Sequence, residues 1–203
     1  MKLYDLELSG NSYKVRLLLS LLKVEYEIVP VNLLEGEHKQ EPFLSLNPKG
    51  EVPVLEDGDF LLADSQAILV YLAEKLDRTD WYPEDARLRA EIQSWFSFAV
   101  AEITRGPEYA RLAKLFNIDV DYDATVVKSE QALRLLNNHL AEREWLVGDK
   151  PTIADVAMFP YVALSGDGEI SLEPYTHVQA WLERFKALPN FTAMPGIEVA
   201  AAA

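Results

Sequence analysis

The sequence predicts an α/β domain followed by an all-helical domain. Residues 1–76 alternate short β-like runs with helical runs, whereas residues 84–190 contain long helical patterns and almost no β-like alternation. Between them, residues 77–83 are polar and end in proline, which is typical of a linker. We therefore expect one domain at 1–76, a linker at 77–83 and a helical domain at 84–203.

The elements of the first domain are predicted in the order β-α-β-α-β-β-α. The first four are predicted at 2–6, 13–22, 25–31 and 37–46. The opening β-α-β unit implies parallel strands joined by a right-handed crossover. Asp57-Gly58 lies between two apolar runs and predicts a hairpin with a two-residue turn. Asp64-Ser65-Gln66 then opens a helix that carries an apolar stripe.

The second domain is predicted to contain several helices. They cover residues 84–115 with a bend near Gly106-Pro107, residues 123–142 and residues 175–188. The apolar side of the middle helix is predicted to carry Val127, Ala132, Leu136 and Leu140. Thr152-Ile153-Ala154-Asp155 has the form of a capping box, so Thr152 and Asp155 are predicted to be structural residues that cap a helix.

Composition excludes several classes of function. The 203 residues include 33 acidic and 19 basic side chains, for a formal charge of −14. The acidic excess is divided evenly between residues 1–80 and 81–203, so the basic face of a nucleic-acid-binding protein is missing. No apolar run approaches the ~18 residues that a membrane span needs. The first residues lack the layout of a signal peptide, and we expect a cytoplasmic protein.

The chain also lacks the residues that several kinds of site require. It has no cysteine, which removes disulfides, thiolate zinc sites and a cysteine nucleophile. His38, His139 and His177 are far apart and show no paired spacing, so no metal site is expected. There is no G-x-S-x-G nucleophile elbow and no glycine-rich phosphate loop.

Three local features could carry chemistry. Ser9-Gly10-Asn11-Ser12 follows a strand and begins a helix, which suits either an N-cap or an anion site. Val52-Pro53 precedes a strand, which suits either a trans proline at the start of the strand or a cis bond that leaves the main chain of Val52 free to meet an extended ligand. Asp64-Ser65 opens a helix with an acid and a hydroxyl, which suits either an N-cap or the binding of a zwitterionic ligand.

Together these features resemble a known family. The predicted order, with X-Pro before the third strand, is the thioredoxin-like layout. Asn47–Leu55 followed by Asp64–Ile68 resembles the glutathione-binding half of soluble bacterial glutathione S-transferases, and Trp145–Gly148 followed by Pro151–Asp155 resembles their all-helical half. The resemblance covers nearly the whole chain. The missing cysteine excludes the cysteine-type classes, such as omega-like and beta-like, and leaves a theta-like or nu-like member.

The resemblance implies an activity and a site. Glutathione would be a co-substrate without any other cofactor, its thiol would attack a small hydrophobic electrophile, and the protein would be a homodimer. The residues implied to bind glutathione are Lys39, Val52, Pro53, Asp64 and Ser65, and the resemblance implies that the Val52-Pro53 bond is cis. His38 is an alternative to Lys39 for the glycyl carboxylate. Asp64 departs from the usual Glu or Gln by one methylene, so its contact with the ammonium could be bridged by water.

The residue that activates the thiol is predicted less directly. The candidates are Ser9, Asn11 and Ser12 in that order, and Tyr4 is ranked last. Arg105 and Tyr109 are candidates for the second-substrate site on the long helix. Asn11 also suits a glutathione-dependent disulfide reductase or peroxidase on the same fold. A non-catalytic member that binds protein partners is a third alternative.

Overall fold

The computed structural model describes residues 1–198, so the end of the predicted second domain, residues 199–203, lies outside the described residues. The strands are β1 (Lys2–Asp5), β2 (Glu27–Pro30), β3 (Val54–Asp57) and β4 (Phe60–Ala63). The α-helices are α1 (Gly10–Leu21), α2 (Phe43–Leu46), α3 (Ser65–Lys75), α4 (Ala86–Phe98), α5 (Tyr109–Phe116), α6 (Tyr122–His139), α7 (Ile153–Ala163) and α8 (Thr176–Lys186). A π-helix covers Ala99–Glu108, and 3₁₀ turns cover Glu37–Lys39, Leu140–Glu142 and Ser165–Gly168.

The four strands form one mixed sheet in the order β2-β1-β3-β4. β1 runs parallel to β2, with Leu3 opposite Ile28, as the β-α-β pattern predicts. β3 is antiparallel to both β1 and β4. All the strands of the described chain precede α3, and the remainder is helical, which confirms the predicted thioredoxin-like sheet followed by a helical domain.

The hairpin turn lies one residue later than predicted. Asp57 pairs with Phe60, so the two loop residues are Gly58 and Asp59 instead of Asp57 and Gly58. Gly58 has a φ of 66°, which the first position of such a turn favours and which glycine adopts without a steric penalty.

Helix α1 begins three residues before its predicted start at Tyr13. Ser9 is the N-cap, and its Oγ accepts a hydrogen bond from the Ser12 N–H at 3.2 Å. Ser12, which we expected near the cap, therefore lies inside the helix. Gly10 allows this first turn to approach α7, because a Cβ at Gly10 would lie 2.6 Å from Cζ of Tyr161.

The predicted helix over 37–46 is divided in two. A 3₁₀ turn covers Glu37–Lys39, and α2 starts only at Phe43. Pro42 lies between them, and a proline cannot donate the main-chain hydrogen bond that a continuous helix would require there.

The long helix of the second domain is continuous from α4 through the π-helix to α5. The predicted bend at Gly106-Pro107 falls within the π-helix, where the missing N–H of Pro107 interrupts the regular hydrogen-bond ladder. This segment packs closely on α6, since a Cβ at Gly106 would lie 2.9 Å from the Ser129 nitrogen.

The expected apolar side of α6 is wrong at one position. Val127 is 55% exposed, whereas Thr125, Ser129 and Ala132 are buried. Three- and four-residue steps from Thr125 lead to the buried positions, and Val127 lies on the other side of the helix. Thr125 and Ser129 can be buried because their hydroxyls donate to main-chain oxygens one turn earlier. Since both residues are polar, the buried face of α6 is not recognisable from the pattern of apolar residues.

Helix α7 is at the centre of the hydrophobic core. Its residues from Ile153 to Val162 are all buried, and it packs on α1, α3 and α4. Phe159 stacks on Phe185 at 4.5 Å between ring centroids and meets Trp181 edge to face. This packing joins the first domain to the second and fixes the start of α1 against α7.

The predicted capping box is present at the start of α7. Oδ2 of the fully buried Asp155 accepts from the Thr152 N–H at 2.9 Å, and Thr152 Oγ1 accepts from the Ala154 N–H at 3.2 Å. Oδ1 of Asp155 accepts from the Leu146 N–H at 3.1 Å and from Trp181 Nε1 at 2.9 Å. The carboxylate therefore joins α7 to the preceding loop and to α8.

Asp155 is expected to make stability depend on pH. Burial raises the pKa of its carboxyl to about 6, although its hydrogen bonds from Thr152, Leu146 and Trp181 act in the opposite direction. Between its ordinary value and about 6, the folded state binds the proton more tightly than the unfolded chain, so the Asp155 contribution decreases as pH rises through this range.

The measurement is the free energy of unfolding of the wild type minus that of Asp155→Asn, by urea denaturation between about pH 4 and about pH 7. The asparagine variant removes the titrating group and leaves all other groups in place. We expect the difference to fall as pH rises, and a difference that is flat or rises with pH would contradict the assignment.

Candidate functional site

A cleft of about 140 Å³ lies where the two domains meet. It is lined by the beginnings of α1 and α3, the loop before β3 and one face of the π-helix. The lining residues are Asn11, Lys14, Asn47, Lys49, Glu51, Val52, Pro53, Ala63, Asp64, Ser65, Gln66, Val100 and Thr104. Five predicted site residues, Asn11, Val52, Pro53, Asp64 and Ser65, are thus brought together in one place.

The loop before β3 presents free main-chain groups to the cleft. Asn47 is buried and shapes the loop, because its Nδ2 donates to the Glu51 carbonyl at 2.8 Å and its Oδ1 accepts from the Lys49 N–H at 3.1 Å. The Val52-Pro53 peptide bond is cis, as predicted. Within residues 1–198, no hydrogen bond joins the main chain of Val52 to another residue. Its N–H and C=O are therefore free to pair with an extended ligand.

The beginning of α3 provides a carboxylate and a hydroxyl. Asp64 has a φ of 86°, and its Oδ1 accepts from the N–H groups of Gln66 and Ala67 at 3.0 and 2.9 Å. The two predicted roles of Asp64, as a helix cap and as a ligand contact, are therefore compatible, because one oxygen caps the helix while the exposed side chain still lines the cleft. Buried Ser65 donates from Oγ to Asn11 Oδ1 at 3.4 Å, which connects the starts of α3 and α1.

The beginning of α1 is held by a partly buried polar network. Asn11 Nδ2 donates to Glu108 Oε1 at 3.2 Å, and Lys14 Nζ donates to Asn11 Oδ1 at 2.8 Å. Thr104 Oγ1 donates to Glu108 Oε2 at 2.7 Å. These bonds fix the Asn11 amide with its oxygen towards Lys14 and its nitrogen towards Glu108. One N–H of that nitrogen remains available to a ligand in the cleft.

Burial controls the ionisation of this network. It lowers the pKa of the Lys14 ammonium, while the carboxylates of Glu108 and Asp64 act in the opposite direction. It also raises the pKa of the Tyr161 hydroxyl well above its ordinary value, so that this hydroxyl stays neutral. Burial thus disfavours the charged form of Lys14, and negative charge near the cleft favours it.

The other candidates for thiol activation do not line the cleft. Half-buried Ser9 uses Oγ as an acceptor in the N-cap, and its O–H remains able to donate. Ser12 is fully buried, and its Oγ has no hydrogen-bond partner within residues 1–198. The Tyr4 hydroxyl donates to Glu56 Oε2 at 2.7 Å and does not line the cleft.

Lys39 lies at the edge of the same loop. Its Nζ donates to the carbonyls of Lys49 and Gly50 at 3.0 Å each, and Lys39 itself does not line the cleft. Lys49 lines the cleft but was not among the predicted site residues. Its signal is weak, because a lysine in an exposed loop is ordinary in any soluble protein.

The candidates for the second-substrate site were Arg105 and Tyr109, and their role stays a prediction. Val100 and Thr104 of the π-helix line the cleft, whereas exposed Arg105 and Tyr109 do not line it. Val100 and Thr104 are four residues apart and share a face. They were not predicted, nor were Lys14 and Glu108, because no local pattern of residues indicates which face of this long helix meets α1.

The fold and the cleft define a two-domain protein of the glutathione-transferase type, with a thioredoxin-like domain followed by a helical domain. The family description "Glutathione S-transferase, N-terminal domain" matches residues 1–74, and "Glutathione S-transferase, C-terminal domain" matches residues 109–189. Glutathione S-transferase 3 of Zea mays is 35% identical over 94% of this chain and 91% of that protein.

Two solved bacterial structures have the same fold. The glutathione S-transferase of Pseudomonas fluorescens has a TM-score of 0.90 and 32% identity, over 96% of this chain and 98% of that chain. A possible glutathione S-transferase of Rhodopseudomonas palustris has a TM-score of 0.87 and 34% identity, over 99% and 92%. The chain belongs to the glutathione S-transferase family, as the resemblance of its motifs predicts.

Proposed function

We propose that the protein binds glutathione in this cleft and activates its thiol to attack a small hydrophobic electrophile. The observation that carries the proposal is the convergence of three elements on one cleft. They are the unpaired main chain of Val52, the carboxylate and hydroxyl of Asp64 and Ser65, and the Asn11 amide at the beginning of α1. Glutathione is an extended, anionic peptide with a thiol, and it has a group that suits each of these three elements.

Each part of glutathione has a partner of suitable chemistry. The cysteinyl main chain pairs with the N–H and C=O of Val52, as a strand pairs with a sheet edge. The γ-glutamyl ammonium meets the Asp64 carboxylate, and its carboxylate meets Ser65 at the beginning of α3, where helix N–H groups favour an anion. The glycyl carboxylate meets Lys39 or Lys49 at the edge of the loop.

The thiol is then placed at the beginning of α1. A free thiol has a pKa of about 8.5, and lowering it by two units requires about 2.7 kcal/mol in favour of the thiolate. A hydrogen bond to a charged group contributes about 1.5–3 kcal/mol, and a helix N-terminus adds up to about 2 kcal/mol. The Ser9 hydroxyl or the free Asn11 N–H is therefore sufficient without a protein base.

The experiment compares Ser9→Ala with Asn11→Ala by the pH profile of conjugation and by the thiolate absorbance of bound glutathione. Ser9→Ala is expected to raise the pKa of the bound thiol, so that conjugation falls near pH 7 and recovers at higher pH. Glutathione affinity should change little, because Val52, Asp64 and Ser65 still hold the peptide. Ser9→Thr, which keeps a hydroxyl and a capping oxygen, is the matched control.

A second activity is favoured by one observation, namely that Asn11 lines the cleft and Ser9 does not. If Asn11→Ala shifts the pH profile and Ser9→Ala does not, Asn11 is the activator and glutathione-dependent disulfide reduction becomes the better proposal. Rates with a chlorinated aromatic and with hydroxyethyl disulfide separate the two activities. Failure to bind glutathione at all would instead favour a non-catalytic member that binds protein partners.

The assembly proposed is a two-fold homodimer. Phe60 and Leu61 of β4, one of the two edge strands of the sheet, are 43% and 40% exposed. Exposed apolar side chains on an edge strand favour contact with another chain, and a two-fold pair is the commonest oligomer.

Among residues 1–198, no helix is both long and apolar enough to cross a bilayer, and no group of three or more potential ligands is arranged to hold a metal ion.

A further inference from the structure

Lys14 occupies an unusual position for a lysine. It is 3% exposed, although it lines the floor of the cleft. Its Nζ donates to Asn11 Oδ1 at 2.8 Å and lies 5.3 Å from the centroid of the Tyr161 ring. Lysine is rarely buried to this degree unless it is paired, so its place on α1 requires an explanation beyond packing.

The groups that face Lys14 do not neutralise it at close range. The charged groups around it are Glu108 on the π-helix and Asp64 before α3, and the Tyr161 hydroxyl of α7 is neutral. Within residues 1–198, no carboxylate oxygen lies within 4.0 Å of its Nζ, and its hydrogen bond to Asn11 is to a neutral oxygen. A buried ammonium without an adjacent anion is costly, and an anion placed in the cleft would reduce that cost.

The bond from Lys14 also determines how Asn11 faces the cleft. With Oδ1 held by Lys14 and Ser65, and Nδ2 held by Glu108, the amide cannot turn its oxygen to the ligand without breaking these bonds. The side that remains available is a donor. A donor and a nearby positive charge are the two features that favour a thiolate over a thiol.

We propose that Lys14 is a positioning residue for the thiol site, which stabilises the glutathione thiolate by its charge and orients the Asn11 amide towards the sulfur. This inference rests on the proposed function. The effect is reciprocal, because a thiolate in the cleft stabilises the Lys14 ammonium by the same free energy with which the ammonium stabilises the thiolate. Lys14 does not remove the thiol proton, which passes to solvent.

The test uses three substitutions at Lys14 and one at its neighbour. Lys14→Gln keeps a donor for Asn11 without the charge, Lys14→Met removes both, and Lys14→Arg keeps both. Glu108→Gln keeps the acceptor for Asn11 and removes a negative charge near Lys14. The readouts are the pKa of bound glutathione from its thiolate absorbance, the pH profile of kcat/KM, and glutathione affinity by calorimetry. Circular dichroism reports whether each variant folds.

Lys14→Gln is expected to raise the bound thiol pKa by about one unit, and so to lower the thiolate fraction about tenfold below that pKa. Lys14→Met should raise it further, and Lys14→Arg should restore it. Glu108→Gln should shift it in the opposite direction, to a lower value. A merely structural lysine would not give a thiol pKa that follows the charge of the side chain at position 14.

A wild-type thiol pKa in folded Lys14→Gln would overturn the proposal. If Lys14→Gln does not fold, Lys14→Met and Lys14→Arg decide together, since equal thiol pKa values in those two variants contradict the charge effect. These failures differ from a failure of the proposed function. In that case, the wild type itself would not bind glutathione or would not lower the pKa of its thiol.

Discussion

Replacing Asp155 by alanine is expected to lower the free energy of unfolding by about 3–5 kcal/mol. The carboxylate is fully buried and accepts hydrogen bonds from the main chain of Thr152 and Leu146 and from Trp181 Nε1. Alanine would leave three buried donors without a partner and open space at the centre of the helical domain. The loss should therefore exceed the ~1 kcal/mol typical of an N-terminal cap. Urea denaturation at pH 7 measures it.

Asp85→Ala provides the matched control. Asp85 caps α4 by accepting from the N–H groups of Arg87 and Leu88 at 2.8 and 3.1 Å, but it is exposed. Water can replace its carboxylate, so its loss should cost only about 1 kcal/mol. Equal losses for the two variants would show that burial adds nothing at Asp155. Because Asp155 does not line the cleft, conjugation by the folded Asp155→Ala variant should be almost unchanged.

Replacing Arg111 by methionine is the second change with a large expected effect, a loss of about 2–4 kcal/mol. Arg111 is 2% exposed, its Nε donates to Asp167 Oδ2 at 2.9 Å, and its Nη1 donates to the Leu8 carbonyl at 3.0 Å. Methionine would leave the Asp167 carboxylate, which is largely buried, and the Leu8 carbonyl without these donors. Thermal and urea unfolding measure the loss.

Lys114→Met is the control on the same helix. Lys114 Nζ lies 2.7 Å from Glu169 Oε2, in a pair that is exposed to solvent, and its loss should cost less than about 1 kcal/mol. Leu8 immediately precedes Ser9, so Arg111→Met should also lower conjugation by the folded enzyme while Lys114→Met leaves it unchanged. A folded Arg111→Met variant with wild-type stability would contradict the assignment of this buried pair.

Elements with a strong local signal were predicted well. Alternation and β-branched residues indicated the strands, and the caps at Asp64 and Thr152 located the starts of α3 and α7 within a residue. The errors occurred where local signals compete. Gly10 and Asn11 are weak helix formers, and their place in α1 depends on the Ser9 cap and on close packing against Tyr161. Val127 was predicted to be buried because the face of α6 that is in fact buried carries the polar residues Thr125 and Ser129.

The difference between local sequence signals and tertiary packing also determined which residues of the site could be predicted. Val52, Pro53, Asp64 and Ser65 were selected because their chemistry is visible within a few residues of sequence. The residues of the π-helix that line the cleft could not be selected in this way. Arg105 is closer to Thr104 in sequence than Val100 is, and only the packing of the π-helix places Val100 in the cleft.

By itself, the sequence determined the order of the elements, the caps and the family, since each depends on residues that are close along the chain. Only the tertiary structure decided that Asn11 meets Glu108, 97 residues away, and that Lys14 is buried beneath them. Hydrogen bonds of this kind form between side chains whose positions depend on how whole helices pack. Packing depends on the shape of all the buried surfaces together, and no local pattern of residues records it.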